Sequence, residues 1–341
     1  MHWQILLTLL ATASGISAAQ AQQHTVRISV VRALTSTPVM IADQKGYFKE
    51  HGIKVEVADI DTTALVPLAQ NQVQMMEAGM TAGYFNAEKN FPVTIASDRA
   101  ASPILHKLLI RTDLTDRIKG IADLKGRTIA INGTASVVNY ELGKLLETVG
   151  LTIKDVEPKV IPFPQMGVGL TNKAVDAALV IPPWAFQLVD QSIGVALADV
   201  DDYVKPSPLS IAVAFINTDW ANQNRELARN FFVAYIRGVR EYCQAYHHGP
   251  NRQEVIDIAV RTGVERRQEL LYKYPWPSRD PNGRFNMASL LDIQSWYLKT
   301  GLSQQQFSPE RIATNEYVDY AVEKLGPFVL DNKDSKLPGC R

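Results

Sequence analysis

The chain has 341 residues, and its 35 basic and 35 acidic side chains give a formal net charge of +0 at pH 7. This balance, together with the absence of a basic stripe, argues against a nucleic-acid-binding protein. About 320 residues follow the apolar N-terminal segment, which is enough for two domains with sizeable cores.

Residues 1–21 have the pattern of a secretory signal peptide. The apolar run over residues 5–19 is too short to span a membrane as a mature helix. Ala19-Gln20-Ala21 fits an A-x-A cleavage site. No cysteine follows this site until Cys243, so we expect the segment to be removed and the mature protein to carry no lipid anchor.

The predicted strands of the first lobe end near a common edge. The predicted elements of this lobe are a strand at 26–31, a helix from Ile41 to Phe48, and strands at 53–57, 73–77 and 91–96. The last strand leads into Asp98 and Arg99. An arginine there can pair bidentately with a carboxylate or sulfonate. The alternative, that Arg99 bonds Asp98 or another surface carboxylate, stays open.

The second predicted lobe begins at residues 123–151. A turn at Gly126 precedes a buried strand at 128–131, and a polar loop then opens an amphipathic helix that Gly150 ends. Thr134 and Ser136 are the predicted N-caps, so the helix N-terminus would attract an anion. The alternative is an ordinary capped connection between a strand and a helix.

The chain contains this unit twice. Residues 68–82 match residues 170–184 when Val73 is aligned with Val175, and each segment predicts a short helix, a strand and a loop. Two βαβ lobes with matching loops bind ligands at the carboxyl ends of their strands. The repeat therefore predicts a ligand between the lobes.

Two apolar strands are predicted to cross between the lobes, at residues 108–110 and 209–217. The strand at 175–180 ends at Pro182, Pro183 and Trp184, where the prolines stiffen the loop that carries the indole. Trp184 is a candidate wall of the cleft, with a position in the core as the alternative.

The chain after residue 219 is predicted to be helical at 225–248, 251–261, 287–300 and 309–325, with a proline-rich rim loop at 274–283. The tail after Phe328 is polar and is predicted to be partly loose. Cys243 and Cys340 would form a structural disulfide in an oxidising compartment, and two unpaired thiols are the alternative.

Catalytic signatures are absent from the sequence, which contains no GxSxG, HExxH, Walker A or GxGxxG motif. His247 and His248 are interpreted as a solvated helix end. His106, beside the predicted crossing strand, is interpreted as lying outside the cleft, with a position that reaches the cleft as the alternative. We therefore expect no catalytic residues, no cofactor and no metal.

Several motifs resemble the nitrate/sulfonate/taurine family of solute-binding proteins of ABC importers, which also resembles the pyrimidine-precursor binding group. These motifs are Pro38 with residues 46–53, Leu124-Lys125-Gly126, and Val175-Asp176-Ala177. The resemblance spans most of residues 26–217. The chain departs from the family pattern at Gln72 and Gln74, and at Asn172-Lys173, which replaces a common glycine.

The resemblance implies an α/β fold of the two-lobed periplasmic-binding-protein type II, with two doubly wound lobes joined by two crossing strands. The expected boundaries are 1–21 for the signal peptide, 22–110 for lobe 1, 111–208 for lobe 2, and 209–341 for the return strand and C-terminal helices. The implied protein is a periplasmic monomer that delivers a small anionic solute to an ABC permease in the inner membrane.

The resemblance also implies a set of ligand-binding residues from both lobes. They are Leu34, Thr35, Met80, Thr81, Asp98, Arg99, Thr134, Ala135, Ser136, Pro183, Trp184 and Phe215. Hydroxyls and N–H groups suit an anionic head, and the apolar members suit an apolar or aromatic body, so an organic anion is favoured. A binding protein that reports to a membrane receptor, and an enzyme on the same fold, stay open as alternatives.

Overall fold

The computed structural model describes residues 23–31, 33–60, 64–88 and 90–341, so the predicted signal peptide lies outside the described residues. None of the helices in these ranges has both the length and the apolar character that a membrane span requires. The strands are His24–Ser29 (β1), Ile53–Val57 (β2), Met75–Gly79 (β3), Val93–Ala101 (β4), Lys107–Arg111 (β5), Thr128–Ile131 (β6), Glu157–Val160 (β7), Ala177–Val180 (β8), Gly194–Asp199 (β9) and Ser210–Asn217 (β10).

The α-helices connect and cover these strands. They are Thr37–Gln44 (α1), Tyr47–Glu50 (α2), Val66–Ala69 (α3), Ala82–Phe85 (α4), Val137–Glu147 (α5), Phe163–Thr171 (α6), Trp184–Asp190 (α7), Val200–Tyr203 (α8), Thr218–Gln223 (α9), Arg225–Tyr246 (α10), Arg252–Arg261 (α11), Gln268–Lys273 (α12), Met287–Lys299 (α13), Pro309–Ile312 (α14) and Glu316–Leu325 (α15).

The described strands form two five-stranded sheets with equivalent strand orders, β2-β1-β3-β10-β4 and β7-β6-β8-β5-β9. In each sheet the fourth strand, β10 or β5, runs antiparallel to both neighbours. Val73 lies two residues before β3, and Val175 lies two residues before β8. The predicted internal repeat is therefore confirmed, in the predicted register.

The chain leaves the first sheet after Ala101 and enters the second at Lys107. The predicted crossing strand at 108–110 lies within β5, which is already paired with β8 and β9 in the second sheet. The crossing segment is therefore residues 102–106, and the predicted boundary between residues 110 and 111 falls inside β5. The predicted return strand corresponds to β10 of the first sheet.

Three buried clusters form the core. One cluster packs α1, α10, α11 and α15 on one face of the first sheet. A second extends from the other face of that sheet to α5 and the second sheet without interruption. The third lies between the second sheet and the helices α6 and α7. Because α13 contacts both β10 and α5, the C-terminal segment packs against both lobes.

The prediction of a helix over residues 309–325 is wrong, because the helical conformation is interrupted between α14 and α15. Ala313 has extended dihedral angles and forms an isolated parallel bridge with Ile95 of β4. The sequence periodicity continues through this break. A tertiary contact with the edge of the first sheet therefore overrides the local helical pattern.

The C-terminal tail is held against α10, so the prediction of a loose tail is wrong. Cys340 is buried and forms a disulfide with Cys243 of α10. The buried ring of His247 lies 2.7 Å from Ser335 Oγ and 3.0 Å from the Gly339 carbonyl oxygen. His247 thus holds the tail against α10 through these contacts, and its interpretation as solvated is also wrong.

Candidate functional site

The central cavity lies where the strand ends of the two sheets face each other, and its volume is about 650 Å³. Its described wall combines the loop before α1, the end of β3, the end of β4, the start of α5 and the loop after β8. Both lobes therefore contribute to one enclosed space, at the edge where a doubly wound sheet binds ligands.

Eight of the residues predicted from sequence line this central cavity, and four do not. The lining residues are Leu34, Thr35, Met80, Thr81, Arg99, Thr134, Ala135 and Ser136. Pro183 and Trp184 line a neighbouring cavity instead. Phe215 lies in the core, where its ring packs 5.1 Å from that of Tyr84. Asp98 is buried behind the wall.

Arg99 carries the permanent positive charge of the described cavity wall. One of its terminal nitrogens, Nη2, donates to Thr35 Oγ1 at 2.5 Å, and its Nε lies 3.8 Å from Glu77 Oε2. Burial lowers the pKa of the guanidinium, and the Glu77 carboxylate opposes that change. An arginine stays protonated at neutral pH, so the cavity presents a fixed cation.

A buried polar network holds Arg99 from behind. Tyr235 donates to Glu77 Oε1 at 2.7 Å and accepts from Arg279 Nη2 at 2.9 Å. Arg279 also donates to the Asp98 carbonyl oxygen at 2.8 Å and to the Thr35 carbonyl oxygen at 3.2 Å. The loop before α1 and the strand β4 are thereby fixed to each other beneath the cavity.

Asp98 belongs to this buried layer and has a raised pKa. Its carboxylate oxygens have no hydrogen-bond partner among the described residues. Burial raises the pKa of Asp98 to about 7, although the charge of Arg279 opposes that increase. Because neighbouring residues of a strand face opposite sides of the sheet, Arg99 and Asp98 cannot both line the cavity.

We expect the stability contribution of Asp98 to depend on pH. The folded-state pKa of about 7 lies above the ordinary value of 3.8. The folded state therefore binds the proton more tightly, and this stabilisation is complete below about pH 4 and lost as the pH rises to about 7. Relative to Asp98→Asn, the wild-type free energy of unfolding should fall by up to about 1.4 kcal/mol per pH unit in that window.

Urea unfolding of both proteins from pH 4.5 to 8 measures this difference. The matched control is Asp116→Asn, because the Asp116 side chain is fully exposed, at 100%. Its stability difference from wild type should stay constant with pH. Parallel curves for wild type and Asp98→Asn would contradict the raised pKa.

The start of α5 joins the lobes. The Val137 N–H donates to the Met80 carbonyl oxygen and the Ala82 N–H to the Ala135 carbonyl oxygen, each at 2.9 Å. Ser136 is the N-cap residue, but its hydroxyl does not accept from a helix N–H. Its Oγ lies 2.8 Å from Asn132 Oδ1 and 2.7 Å from the Gly133 carbonyl oxygen instead. The two main-chain bonds place the lobes in direct contact beside the cavity.

His106 lines the cavity, which contradicts its interpretation as lying outside the cleft. Its Nδ1 is 3.0 Å from Oε2 and 3.1 Å from Oε1 of Glu141, a fully buried carboxylate on α5. Because Nδ1 faces the Glu141 carboxyl group, Nε2 is the ring nitrogen left for a ligand. The partners are 35 positions apart, so local sequence gave no signal for this pair.

The rest of the described wall is mainly apolar. Besides Arg99 and His106 it contains hydroxyl and amide groups, and no aspartate or glutamate of the described chain lines it. The apolar part is Leu34, Met80, Ile104, Val137, Val138, Val160, Phe163, Ile181, Pro182 and Ile211. Within the described residues, no three His, Cys, Asp or Glu side chains group as metal ligands would. The cavity thus suits an anion with an apolar body.

This fold and cavity define a two-lobed α/β protein with a cavity of small-molecule size between its lobes. Residues 34–246 match the family model described as NMT1/THI5 like, which is more than half of the chain. The chain therefore belongs to the NMT1/THI5-like family.

Two curated relatives have the same level of identity. The nitrate/nitrite binding protein NrtA of Nostoc sp. is 24% identical over 276 residues, which cover 73% of this chain and 60% of that protein. A Brachyspira hyodysenteriae protein named as an ABC transporter periplasmic binding protein is 24% identical over 280 residues, 76% of each chain. The chain thus spans less than two thirds of the Nostoc relative.

Solved structures share the fold at low identity. The periplasmic nitrate-binding protein NrtA from Synechocystis PCC 6803 has a TM-score of 0.70 and 14% identity, covering 94% of this chain and 92% of that one. The desulfurization enzyme DSZB has a TM-score of 0.61 and 15% identity, covering 88% and 99%. The predicted two-lobed α/β fold class and the predicted family resemblance are confirmed.

Proposed function

We propose that this protein captures a small organic anion between its lobes and delivers it to an ABC importer. The ligand would be a sulfonate, a carboxylate or an aromatic acid. The observation that carries the proposal is the cavity wall itself, in which Arg99 is a fixed cation within a largely apolar surface. An anionic group would pair with the guanidinium, and an apolar body would contact the remaining wall.

The size of the cavity supports an organic ligand rather than an inorganic ion. Its 650 Å³ falls within the range of about 300–1,000 Å³ that is usual for small-molecule sites. Nitrate alone would leave most of the apolar wall without contacts. We therefore infer a ligand class that differs from the nitrate named for the cyanobacterial relatives.

The same proposal includes location and partners. The named ABC transporter relative supports a periplasmic protein that meets a permease of the inner membrane. This proposal also includes that residues 1–21 are removed, that the mature protein carries no lipid anchor and that it is a monomer. Closure of the two lobes would present both of them together to the permease. The main-chain bonds between the lobes at the start of α5 support this arrangement.

An enzyme on the same fold is the second candidate. The observation that favours it is His106, which a buried carboxylate orients inside the cavity, as in catalytic pairs. We favour binding over catalysis because the curated relatives are named as binding proteins. Mass spectrometry of the ligand after prolonged incubation decides between them, since a binding protein returns it unchanged.

A matched set of ligands tests the proposed function in the mature protein. The set holds taurine, alkanesulfonates, nitrate, bicarbonate, aromatic carboxylates, pyrimidines and the neutral amides of the carboxylates. An organic anion should stabilise the fold by about 2.7 kcal/mol at a hundredfold excess over its Kd, measured by thermal unfolding. Equal stabilisation by the neutral amides, or by nitrate alone, would overturn the proposed ligand class.

A further inference from the structure

We propose that a second cavity beside the central one takes the apolar tail of the same ligand, which would make that ligand an amphiphilic anion. This inference rests on the proposed function and specifies its ligand class. The negative head would pair with Arg99, and an alkyl or aryl chain would extend into the second cavity.

The two cavities adjoin. The second has a volume of about 500 Å³ and shares four described lining residues with the first: Ala33, Leu34, Pro182 and Pro277. Leu34 precedes Thr35, whose hydroxyl accepts a hydrogen bond from Arg99. The boundary between the cavities therefore lies one residue from the group that holds the cation. A ligand head at Arg99 would place its chain beside the opening.

Aromatic side chains in fixed positions form the wall of the second cavity. Trp276 is buried, and its Nε1 donates to the Leu271 carbonyl oxygen at 2.9 Å. Trp184 stacks on Phe163 of the central cavity, with ring centroids 5.9 Å apart. Tyr274 stacks on Phe186 at 5.2 Å. Such surfaces favour apolar chains and rings, because burial there removes apolar area from water.

Three charged residues of the described chain line this cavity, and two of them, Glu265 and Arg267, pair with each other. Arg267 Nε lies 2.9 Å from Glu265 Oε1, and its Nη1 donates to Gln187 Oε1 at 3.2 Å. Arg266 is exposed. Because Arg267 is paired with Glu265 and Arg266 is exposed, the aromatic and apolar side chains remain as the surface on which the uncharged end of the ligand would lie.

The second cavity also lies between the lobes. Tyr274, at the end of α12, donates to Asp190 of α7 at 2.7 Å, and Lys273 forms an ion pair with the same carboxylate. The bond from Arg267 to Gln187 crosses the same gap. A tail in this space would touch both lobes and stabilise the closed form together with the head group.

Straight-chain alkanesulfonates of two to ten carbons test this inference with two matched variants. Leu270→Trp fills the second cavity, and Val160→Trp fills the central one, since each residue lines only that cavity. In the wild type, calorimetric affinity should rise about fourfold per methylene, the equivalent of about 0.8 kcal/mol, until the space is filled. Leu270→Trp should bind the shortest sulfonates normally and lose this increase.

Each other outcome overturns the inference. An increase that persists in Leu270→Trp and disappears in Val160→Trp would place the tail in the central cavity. Loss of the increase in both variants would mean that the second cavity alone does not hold the tail, and equal affinity at every length would mean that no tail site exists. If no sulfonate or carboxylate of any length binds, the proposed function fails, and this inference fails with it. Unchanged thermal unfolding of the free variants shows that both are folded.

Discussion

Replacing Arg99 with methionine is expected to weaken binding of an organic anion at least about thirtyfold. Methionine keeps an unbranched, largely apolar side chain and removes the charge. Loss of one partner from a desolvated charge pair costs about 2–5 kcal/mol, and 1.4 kcal/mol is tenfold in affinity. Calorimetric titration at pH 7 with the tightest ligand of the matched set measures the change. Arg99→Lys keeps a charge without the planar fork and should lose about tenfold.

The same substitution leaves the buried Glu77 without its cation, so binding and stability must be separated. Breaking a buried ion pair costs about 3–5 kcal/mol of stability. Glu77 Oε2 is 3.8 Å from Arg99 and has no hydrogen-bond partner among the described residues. The double variant Glu77→Gln with Arg99→Met should regain stability and still bind weakly. Recovery of affinity in the double variant would contradict a direct role for Arg99.

Replacing Cys340 with serine is expected to lower the free energy of unfolding by about 4 kcal/mol. The disulfide joins residues separated by 97 positions, and a cross-link of that span strongly restricts the unfolded chain. The variant also frees the last residues of the tail from α10. Urea unfolding of the oxidised wild type and of the variant measures the effect, and a reducing agent should lower only the wild-type stability.

The control for this prediction is that the stability effects of the two cysteine substitutions should not add. Cys243→Ser and Cys340→Ser each remove the same bond, so the double variant should be about as stable as either single one. A double variant that loses the sum of the two single effects would mean that each thiol acts independently. Full stability of Cys340→Ser would show that the contacts of His247 hold the tail without the covalent link.

The fold could be predicted largely from the sequence because its signals are local and occur twice. Turns at Gly52 and Gly150, apolar strands and amphipathic helices each depend on a few neighbouring residues. Alignment of Val73 with Val175 located β3 and β8 in the same register. The position of the cavity follows from this architecture, since strand ends of both lobes meet there.

The directions of side chains were harder to predict. All residues of β10 are buried, so alternation of polar and apolar residues could not assign Phe215 to a face. β4 is also buried along nearly all of its length, so alternation of polar and apolar residues could not predict which of Asp98 and Arg99 faces the cavity. The pair of His106 and Glu141, and the bridge that interrupts the helix at Ala313, depend on contacts between distant segments.

The bonds that join the lobes at α5 are made by main-chain atoms of residues 80–82 and 135–137. Substitution of Thr81 or Ala135 changes the surface that a ligand meets, while the main-chain groups that form these bonds remain. Selectivity can therefore diverge between descendants of this chain without any redesign of the closing movement. A fold arranged in this way can acquire new ligands by exchanging a few side chains while the main-chain contacts between its lobes stay the same.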